Sequence, residues 1–477
     1  MEIQQDRFLE GHCPSMAAFG VSLVPLMYAL EEKMSGIEIP GIGNQKIKLF
    51  ADDLKVFLRS TREIESVYDV ICDFEKVSGL KMHRDPARGK CQALPFGSDR
   101  QFLYWPDWVL VKDTIKVVGG LFSNRETCEK INSNLVAKCF YDSIHKTYGM
   151  RGTIFQKAYY VNTYLFSKLW FTAQFCKLDG KMLKKILAKA LAFIYGGENE
   201  RQVNSVNFRS TAEGGLGLFH PVTKAKALLV KNMYRELLSM QGNVHDTEKI
   251  VQVYGYTEEF MEIIENGLST SPSKNIYDHL IKEVTHRNGS LIPSRREKKV
   301  SNVKWGLVFK NFKLMSGINA EERCFAWKLS QDMLAVGNRI FRRNAEKRCL
   351  TSLVDGSLCQ EIQDIDHAFE KCEAVKDLYD MMILVLNRLT KRNISLKLSF
   401  HLAFIHRRNP TLKCALWFAV KVMFSIFNKR MFNKEQILRE MIKEIDWNLK
   451  LNRKVGSEGE MMQLKEILRD MSSRIGL

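Results

Sequence analysis

Short apolar runs separated by polar turns dominate the first part of the chain. In KIKLFADDLKVFL, residues 46–58, two such runs lie on either side of the adjacent acids Asp52 and Asp53. Runs of this length that are rich in β-forming residues and joined by a polar dipeptide predict an antiparallel hairpin with both carboxylates at its tip. A second strand-like run, IKVVGGLFS at residues 115–123, contains a glycine pair, which indicates a bulge or a close backbone approach, with an ordinary tight turn as the alternative.

A helical period replaces this pattern after residue 126. Between Met182 and Ile194 the apolar residues recur three and four positions apart, which predicts a helix with one buried face. That face comprises Leu183, Ile186, Leu187, Ala190, Leu191 and Ile194. The opposite face carries Lys181, Lys184, Lys185 and Lys189. The C-terminal region is also helical in pattern and ends in a short amphipathic helix over residues 461–475, which we expect to pack against the fold.

The charge balance of the chain is strongly basic. Its 477 residues include 72 Lys and Arg against 54 Asp and Glu, a formal net charge of +18. A chain this positive usually meets a polyanion, a membrane surface or an acidic partner. The 11 cysteines have no regular spacing, which favours a reducing compartment over a disulfide framework. We therefore expect an intracellular protein, nuclear or cytoplasmic and not secreted, and the apolar stretches predict no membrane span.

The hairpin and its neighbours resemble the reverse transcriptases of non-LTR, LINE-type retrotransposons. FADD, with apolar runs before and after it, is similar to motif C of that family. Upstream, EGHCPSMAAFGVSLVPL resembles motif B: Gly11 and Ser15 match its pattern, whereas Glu10 and Cys13 replace the usual glutamine and proline. Downstream, SGLKMHRDPARGKCQALPFG resembles motif D, with Lys90 as its lysine, and IKVVGGLFS resembles motif E. The four motifs follow one another in the order of the family.

The resemblance implies an RNA-directed DNA polymerase, a nucleotidyltransferase that extends a DNA primer on an RNA template with dNTPs. Asp52 and Asp53 would be catalytic carboxylates that bind Mg²⁺ in a two-metal phosphoryl-transfer site. Without the neighbouring motifs, the Asp pair would be interpreted as a solvated turn.

The same resemblance assigns further contacts to the substrate strands. Gly11, Ser15 and Lys90 would contact the incoming nucleotide and the template. Gly119 and Gly120 would belong to the hairpin that grips the end of the primer.

A polymerase of this family also needs a third carboxylate, from motif A, which lies well before motif B. The acids that precede motif B here are Glu2 and Asp6, in what reads as a short strand leading into that motif. We therefore expect a chain truncated at motif B relative to the family, with an incomplete magnesium site and no polymerase activity on its own. The alternative is a catalytically dead protein that binds nucleic acid non-specifically, and a helical scaffold unrelated to nucleic acid is the third possibility.

A basic helical region after motif E resembles a polymerase thumb. Residues 130–189 contain eleven Lys or Arg and two Asp, interleaved with aromatic residues. The lysines of the amphipathic helix would contact phosphates and follow the backbone of a duplex. The alternative is that they only keep the helices soluble, although a merely solvated face usually mixes both signs of charge.

Four residues in the C-terminal third are candidate zinc ligands: Cys349, Cys359, His367 and Cys372. The spacing Cys359-x7-His367-x4-Cys372 resembles part of the zinc knuckle found in many such proteins. Cys349 departs from the close CxxC pair of that knuckle, because position 356 is Gly. Zinc tolerates a longer first loop, so the sequence leaves open a rearranged zinc site or a set of buried free cysteines with a histidine at the edge of the core.

Together these patterns predict an α+β chain. The predicted order is a partial polymerase palm of antiparallel sheet and helices, a mostly helical thumb-like domain, a helical connector with a basic linker, a helical region with the knuckle-like segment, and a C-terminal helical region. The predicted bounds are 1–125, 126–240, 241–300, 301–375 and 376–477.

Overall fold

The structure is a computed structural model, and it describes most of the chain. The described residues are 19–39, 43–50, 53–88, 90–96, 105–147, 149–197, 204–239, 272–293, 297, 305–312, 317–334, 336, 348–349, 351, 357–392, 409–451 and 455–474.

Short strand pairs come first along the chain, and helices follow. The elements before residue 126 are α1 (Val24–Lys33), β1 (Ile37–Ile39), β2 (Gly43–Gln45), β3 (Ile47–Phe50), β4 (Asp53–Val56), α2 (Glu63–Ser78), β5 (Gln92–Ala93), β6 (Leu110–Val111), β7 (Thr114–Val117) and β8 (Gly120–Ser123). The next are α3 (Cys128–His145), α4 (Ile154–Tyr160), a π-helical turn (Val161–Leu165), α5 (Ser167–Trp170), α6 (Gly180–Tyr195), α7 (Asn204–Phe208), α8 (Pro221–Ser239), α9 (Ser273–Leu280), α10 (Lys282–Thr285), β9 (His286–Arg287) and β10 (Ser290–Leu291). The last are α11 (Trp305–Phe312), α12 (Ala320–Ser330), a second π-helical turn (His367–Lys371), α13 (Glu373–Thr390), α14 (Pro410–Asn428), α15 (Lys434–Lys450) and α16 (Glu458–Arg474).

The sheets in the described part of the chain are small. Each has two strands, and the pairs are antiparallel except for β5 with β6, which are parallel. The chain is thus a mixed α+β protein with small antiparallel sheets, as the sequence predicted.

The chain divides into two compact units. Unit 1 comprises Met1–Lys138, Leu169–Gly180 and Ala225–Ile276, and unit 2 comprises Cys139–Lys168, Lys181–Lys224 and Tyr277–Leu477. Each unit has a hydrophobic core of its own among the described residues.

The predicted Asp-Asp hairpin belongs to unit 1. Strands β3 and β4 are antiparallel with Phe50 opposite Asp53, so residues 51 and 52 connect them. Asp53 therefore begins the second strand, whereas the sequence placed both acids in the turn. Asp52 lies outside the described residues. Ile47 is buried with apolar residues of α1 and α2, so the hairpin is attached to the core of the unit through one face.

The glycine pair of the second hairpin lies against two aromatic rings of unit 1. Strands β7 and β8 are joined by Val118 and Gly119, which have φ angles of 46° and 86°, the positive values of a type I′ turn. A Cβ atom on Gly119 would lie 2.9 Å from Phe171 Cε1, and one on Gly120 would lie 2.5 Å from Phe175 Cζ. The close approach indicated by the sequence is confirmed, and the tight turn proposed as its alternative is present as well.

This packing makes Gly120 sensitive to substitution. Gly120→Ala is expected to lower the free energy of unfolding of unit 1 by about 1–3 kcal/mol, because the added methyl group overlaps the Phe175 ring. Gly180→Ala is the matched control, since no atom beyond its chain neighbours and the nearby backbone of its own helix lies within 4 Å of its Cβ position. Chemical denaturation of the two variants measures the difference, and equal stabilities would contradict the packing.

A continuous apolar core occupies the C-terminal part of unit 2. Side chains from α11 to α16 meet in it, and α14 contributes the largest buried set. From α16, the buried residues are Met461, Leu464, Leu468 and Met471. The packing role predicted for the last amphipathic helix is therefore confirmed.

Helix α14 is also long and apolar enough to cross a membrane by length and composition alone. Its most apolar window is 72% buried within the fold. Lys421, near the middle of the helix, forms ion pairs with Glu322 and Glu444. Core packing thus accounts for the apolar sequence of this helix.

The segment predicted as a basic linker, residues 286–299, begins with a hairpin. Strands β9 and β10 pair across Asn288 and Gly289, whose φ angles are 50° and 76°. An Asn-Gly dipeptide is a strong local signal for such a turn. The sequence prediction missed the turn because it assigned the segment as a linker from its overall composition. Glu297 of the same segment pairs with the buried Arg209, with 3.2 Å between Oε2 and Nη1.

Candidate metal centre

Three cysteines and a histidine converge in unit 2. The donor atoms of Cys349, Cys359, His367 and Cys372 all lie within 4.8 Å of one another. The Sγ atoms of Cys349 and Cys372 are 4.0 Å apart, and Cys359 Sγ lies 3.3 Å from His367 Nε2. Tetrahedral zinc requires about 3.8 Å between two sulfur ligands and about 3.5 Å between sulfur and nitrogen, from its usual bond lengths. The four side chains therefore have the chemistry and the spacing to hold one metal ion such as zinc.

Backbone pairing places the first two cysteines side by side. Arg348 and Ile362 form an antiparallel bridge. The Cys349 N–H donates to the Glu361 carbonyl at 2.6 Å, and the Gln360 N–H donates to the Cys349 carbonyl at 3.0 Å. Because an antiparallel pair joins residues that are distant in sequence, the wide spacing between Cys349 and Cys359 does not separate their thiols.

A π-helical turn positions the other two ligands. The Cys372 N–H donates to the His367 carbonyl at 3.0 Å, a bond across five residues. In an α-helix, side chains five positions apart point about 140° away from each other. A π-turn takes up the extra residue and brings them to nearly the same face. Asp364 fixes the start of the turn, since its Oδ1 accepts the His367 N–H at 2.7 Å.

Burial shifts the pKa of two of the four ligands, His367 and Cys372. Cys349, His367 and Cys372 are buried, and Cys359 is half-buried. Burial lowers the pKa of His367, so its imidazole is neutral at pH 7 and offers a lone pair to an ion. Burial, together with Cys349, raises the pKa of Cys372 to about 12. A metal ion that binds this thiol must displace its proton, so metal affinity is expected to rise with pH.

Two polar neighbours of the cluster were not predicted from the sequence. The Cys349 thiol lies 3.2 Å from Thr351 Oγ1 and 4.0 Å from Gln363 Nε2. The neutral thiol donates to Thr351 Oγ1 and accepts from Gln363 Nε2. Once the thiol is deprotonated, the Thr351 hydroxyl and the Gln363 amide can both donate to the thiolate and fix its orientation. Neither has a sequence signal beyond its nearness to a ligand, whereas Asp364, three residues before His367, has the spacing of a helix cap.

The predicted magnesium site has no support in the described part of the chain. Asp53 is exposed, and the Lys55 ammonium lies 3.9 Å from its Oδ2 atom. Among the described residues, the zinc-like cluster is the one place where three or more Cys, His, Asp or Glu donors converge. Asp52, Gly11 and Ser15 lie outside the described residues, so their catalytic and binding roles stay predictions.

Three of the predicted nucleic-acid contacts, Lys90, Gly119 and Gly120, differ in their surroundings. Lys90 is exposed, whereas Gly119 and Gly120 lie against phenylalanine rings.

Helix α6 has the predicted amphipathic character: its buried residues are Leu183, Ile186, Leu187, Ala190, Leu191, Ile194 and Tyr195. Its polar face exposes Lys181, Lys184 and Lys185, with Lys189 half-buried. The two faces of this helix are confirmed, and its contact with phosphates stays a prediction.

No protein-family model matches the chain, and no curated protein matches it at a significant level. Function is therefore inferred from the metal-binding geometry, the basic helix and the motifs quoted above.

Proposed function

We propose that this chain derives from the reverse transcriptase of a LINE-type retrotransposon and binds nucleic acid, with a zinc ion that stabilises its C-terminal region. The observation that carries the proposal is the convergence of Cys349, Cys359, His367 and Cys372 at separations suited to tetrahedral zinc. It supports a rearranged zinc knuckle in the C-terminal third of the chain, where the family resemblance predicts one.

Zinc would act structurally at this site. All four donors are protein side chains, which is typical of a closed structural site, whereas a catalytic zinc keeps a position open for water or substrate. The ligands come from the extended pair and from the π-turn that leads into α13. The ion would thus hold an irregular segment against the helical core.

Nucleic-acid binding is assigned to the basic helix α6. Lys181, Lys184 and Lys185 are exposed on one side, and the buried face fixes the orientation of the helix in unit 2. Lysines on such a face neutralise phosphates and release counterions, which makes the affinity depend steeply on salt. The proposed ligands are an RNA template and a DNA primer or their duplex, bound without sequence specificity.

Salt-dependent binding tests this assignment. In Lys184→Gln/Lys185→Gln, the slope of log K against log salt concentration is expected to fall by about one for each lysine that contacts a phosphate. Lys443→Gln/Lys450→Gln is the matched control, because these lysines are exposed on α15, which also carries acids. Equal slopes for the two double variants would remove α6 from the interface, and the absence of any salt-sensitive binding would overturn the proposal.

Primer extension separates a polymerase from a binding module. The proposed palm origin assigns Asp52 and Asp53 to Mg²⁺ and makes dNTPs the substrates. Template-directed incorporation that needs Mg²⁺ and is lost in Asp52→Ala would establish the polymerase. Binding without incorporation would leave nucleic-acid binding as the activity of the chain.

A further inference from the structure

Two segments of unit 2 combine a positive charge with an absence of acids. Residues 143–168 and 181–197 together contain eight Lys or Arg and no Asp or Glu. A helical surface that is only solvated usually carries both signs of charge. This pair of segments therefore matches a polyanion better than it matches a neutral or basic protein partner.

An aromatic group lies on these two segments. The ring centroids of Tyr160 and Tyr164 are 4.9 Å apart, and Tyr160 is 6.4 Å from Phe193 of α6. The Lys157 ammonium lies 5.4 Å from the centre of the Phe193 ring. The π-helical turn after α4 contains Tyr164, which lies four residues after Tyr160 and therefore on nearly the same face of the helix. Tyr164 is 56% exposed, so this group presents one ring to solvent, and its cation lies beside Phe193.

A row of lysines leads to the aromatic group. Lys181, Lys185, Lys189 and Phe193 follow one another at intervals of four, which places them on a single ridge of α6. Twelve residues of helix give this ridge a length of about 18 Å. The basic ridge and the aromatic group are thus continuous along one helix.

We propose that the ridge and the aromatic group form a binding site for single-stranded nucleic acid, with lysines on the phosphates and Tyr164 stacked on a base. This inference rests on the proposed nucleic-acid-binding function. Proteins that hold single strands combine a positive track for the backbone with aromatic side chains for the bases. A duplex offers phosphates but keeps its bases stacked on each other, so it would leave Tyr164 without a role.

Binding of matched oligonucleotides to the full chain tests the proposal by fluorescence anisotropy. The probes are an oligothymidylate, an abasic oligodeoxynucleotide of the same length and a duplex. Tyr164→Ala is expected to weaken binding of the oligothymidylate about tenfold and to leave the abasic and duplex probes unchanged, because only the stacked base is lost. Tyr164→Phe keeps the ring and should bind as the native chain does.

Tyr28→Ala is the matched control, since Tyr28 is 71% exposed on α1 in unit 1. Salt-sensitive binding by the native chain together with an equal effect of Tyr164→Ala on all three probes would overturn the stacking site and leave the proposed function standing. No salt-sensitive binding of any probe would overturn both. Loss of oligothymidylate affinity in Tyr28→Ala would also count against the site, because the effect would not be specific to the aromatic group.

Discussion

Cys372→Ser is expected to abolish zinc binding and to unfold the C-terminal core of unit 2 well below the unfolding temperature of the native chain. Cys372 is buried and is the N-cap residue of α13, and its sulfur atom lies 4.0 Å from that of Cys349. Structural zinc contributes on the order of 10 kcal/mol in small zinc-binding peptides, comparable with the whole stability of a domain. Removal of the ion with a chelator should have the same effect on the native chain.

Metal analysis and thermal unfolding with and without chelator measure both effects. One zinc per chain is expected for the native protein, and Co²⁺ in its place should give the absorption bands of a tetrahedral thiolate site. Cys414→Ser is the matched control, because Cys414 is fully buried in the same core but lies outside the cluster. It should lose some stability and keep its zinc.

Buried free thiols, the alternative left open by the sequence, predict a different result. In that case the purified chain contains no zinc, the chelator leaves its unfolding temperature unchanged, and Cys372→Ser behaves like Cys414→Ser. That outcome would remove zinc from the proposed function and leave the basic helix to be tested on its own.

Lys421→Met is expected to lower the free energy of unfolding of unit 2 by about 3–5 kcal/mol, because it leaves a buried carboxylate without its counter-charge. Lys421 and Glu322 are each 4% exposed, with 2.8 Å between Nζ and Oε1. Lys421 also pairs with Glu444, whose side chain is 31% exposed and can turn to water. Glu322 of α12 is therefore the carboxylate that loses its counter-charge without gaining contact with water.

A second substitution tests this explanation. Glu322→Gln removes the charge and keeps the capping box with Asn319, since Gln serves in that motif as Glu does. The double variant Lys421→Met/Glu322→Gln is expected to regain most of the lost stability. Lys429→Met removes an exposed pair with Glu440 and should cost less than about 1 kcal/mol. Equal losses in Lys421→Met and Lys429→Met by chemical denaturation would contradict the argument.

Local patterns predicted several elements correctly. The periodicity of residues 182–194 gave the buried and exposed faces of α6, and that of residues 461–475 gave the packing of α16. Both predictions succeed because a helical face is determined by residues three and four positions apart, which the sequence displays directly. The hairpin at residues 46–58 was also predicted from a local pattern, two apolar runs joined by a polar dipeptide. Asp53, however, belongs to the strand and not to the turn.

The candidate metal centre could be predicted only as a set of residue types. By spacing alone, Cys349 did not fit, and His367 and Cys372 would point apart on an ordinary α-helix. The π-turn and the antiparallel backbone pair around Cys349 bring the four donors together, and neither has a clear sequence signal. The two ion pairs of Lys421 could not be predicted from local patterns either, because Glu322 and Glu444 lie on other helices.

Composition and local patterns were enough to predict the mixed α+β class, the basic charge, the amphipathic helices and the four residues that could bind zinc. Each of these follows from composition or from contacts within one turn of helix or one hairpin. Three features became visible only in the folded chain: the four donors converge, the glycine pair lies against two phenylalanines, and Lys421 is buried beside two carboxylates. The reason is physical: such contacts join residues far apart along the chain, and packing of the whole unit selects them.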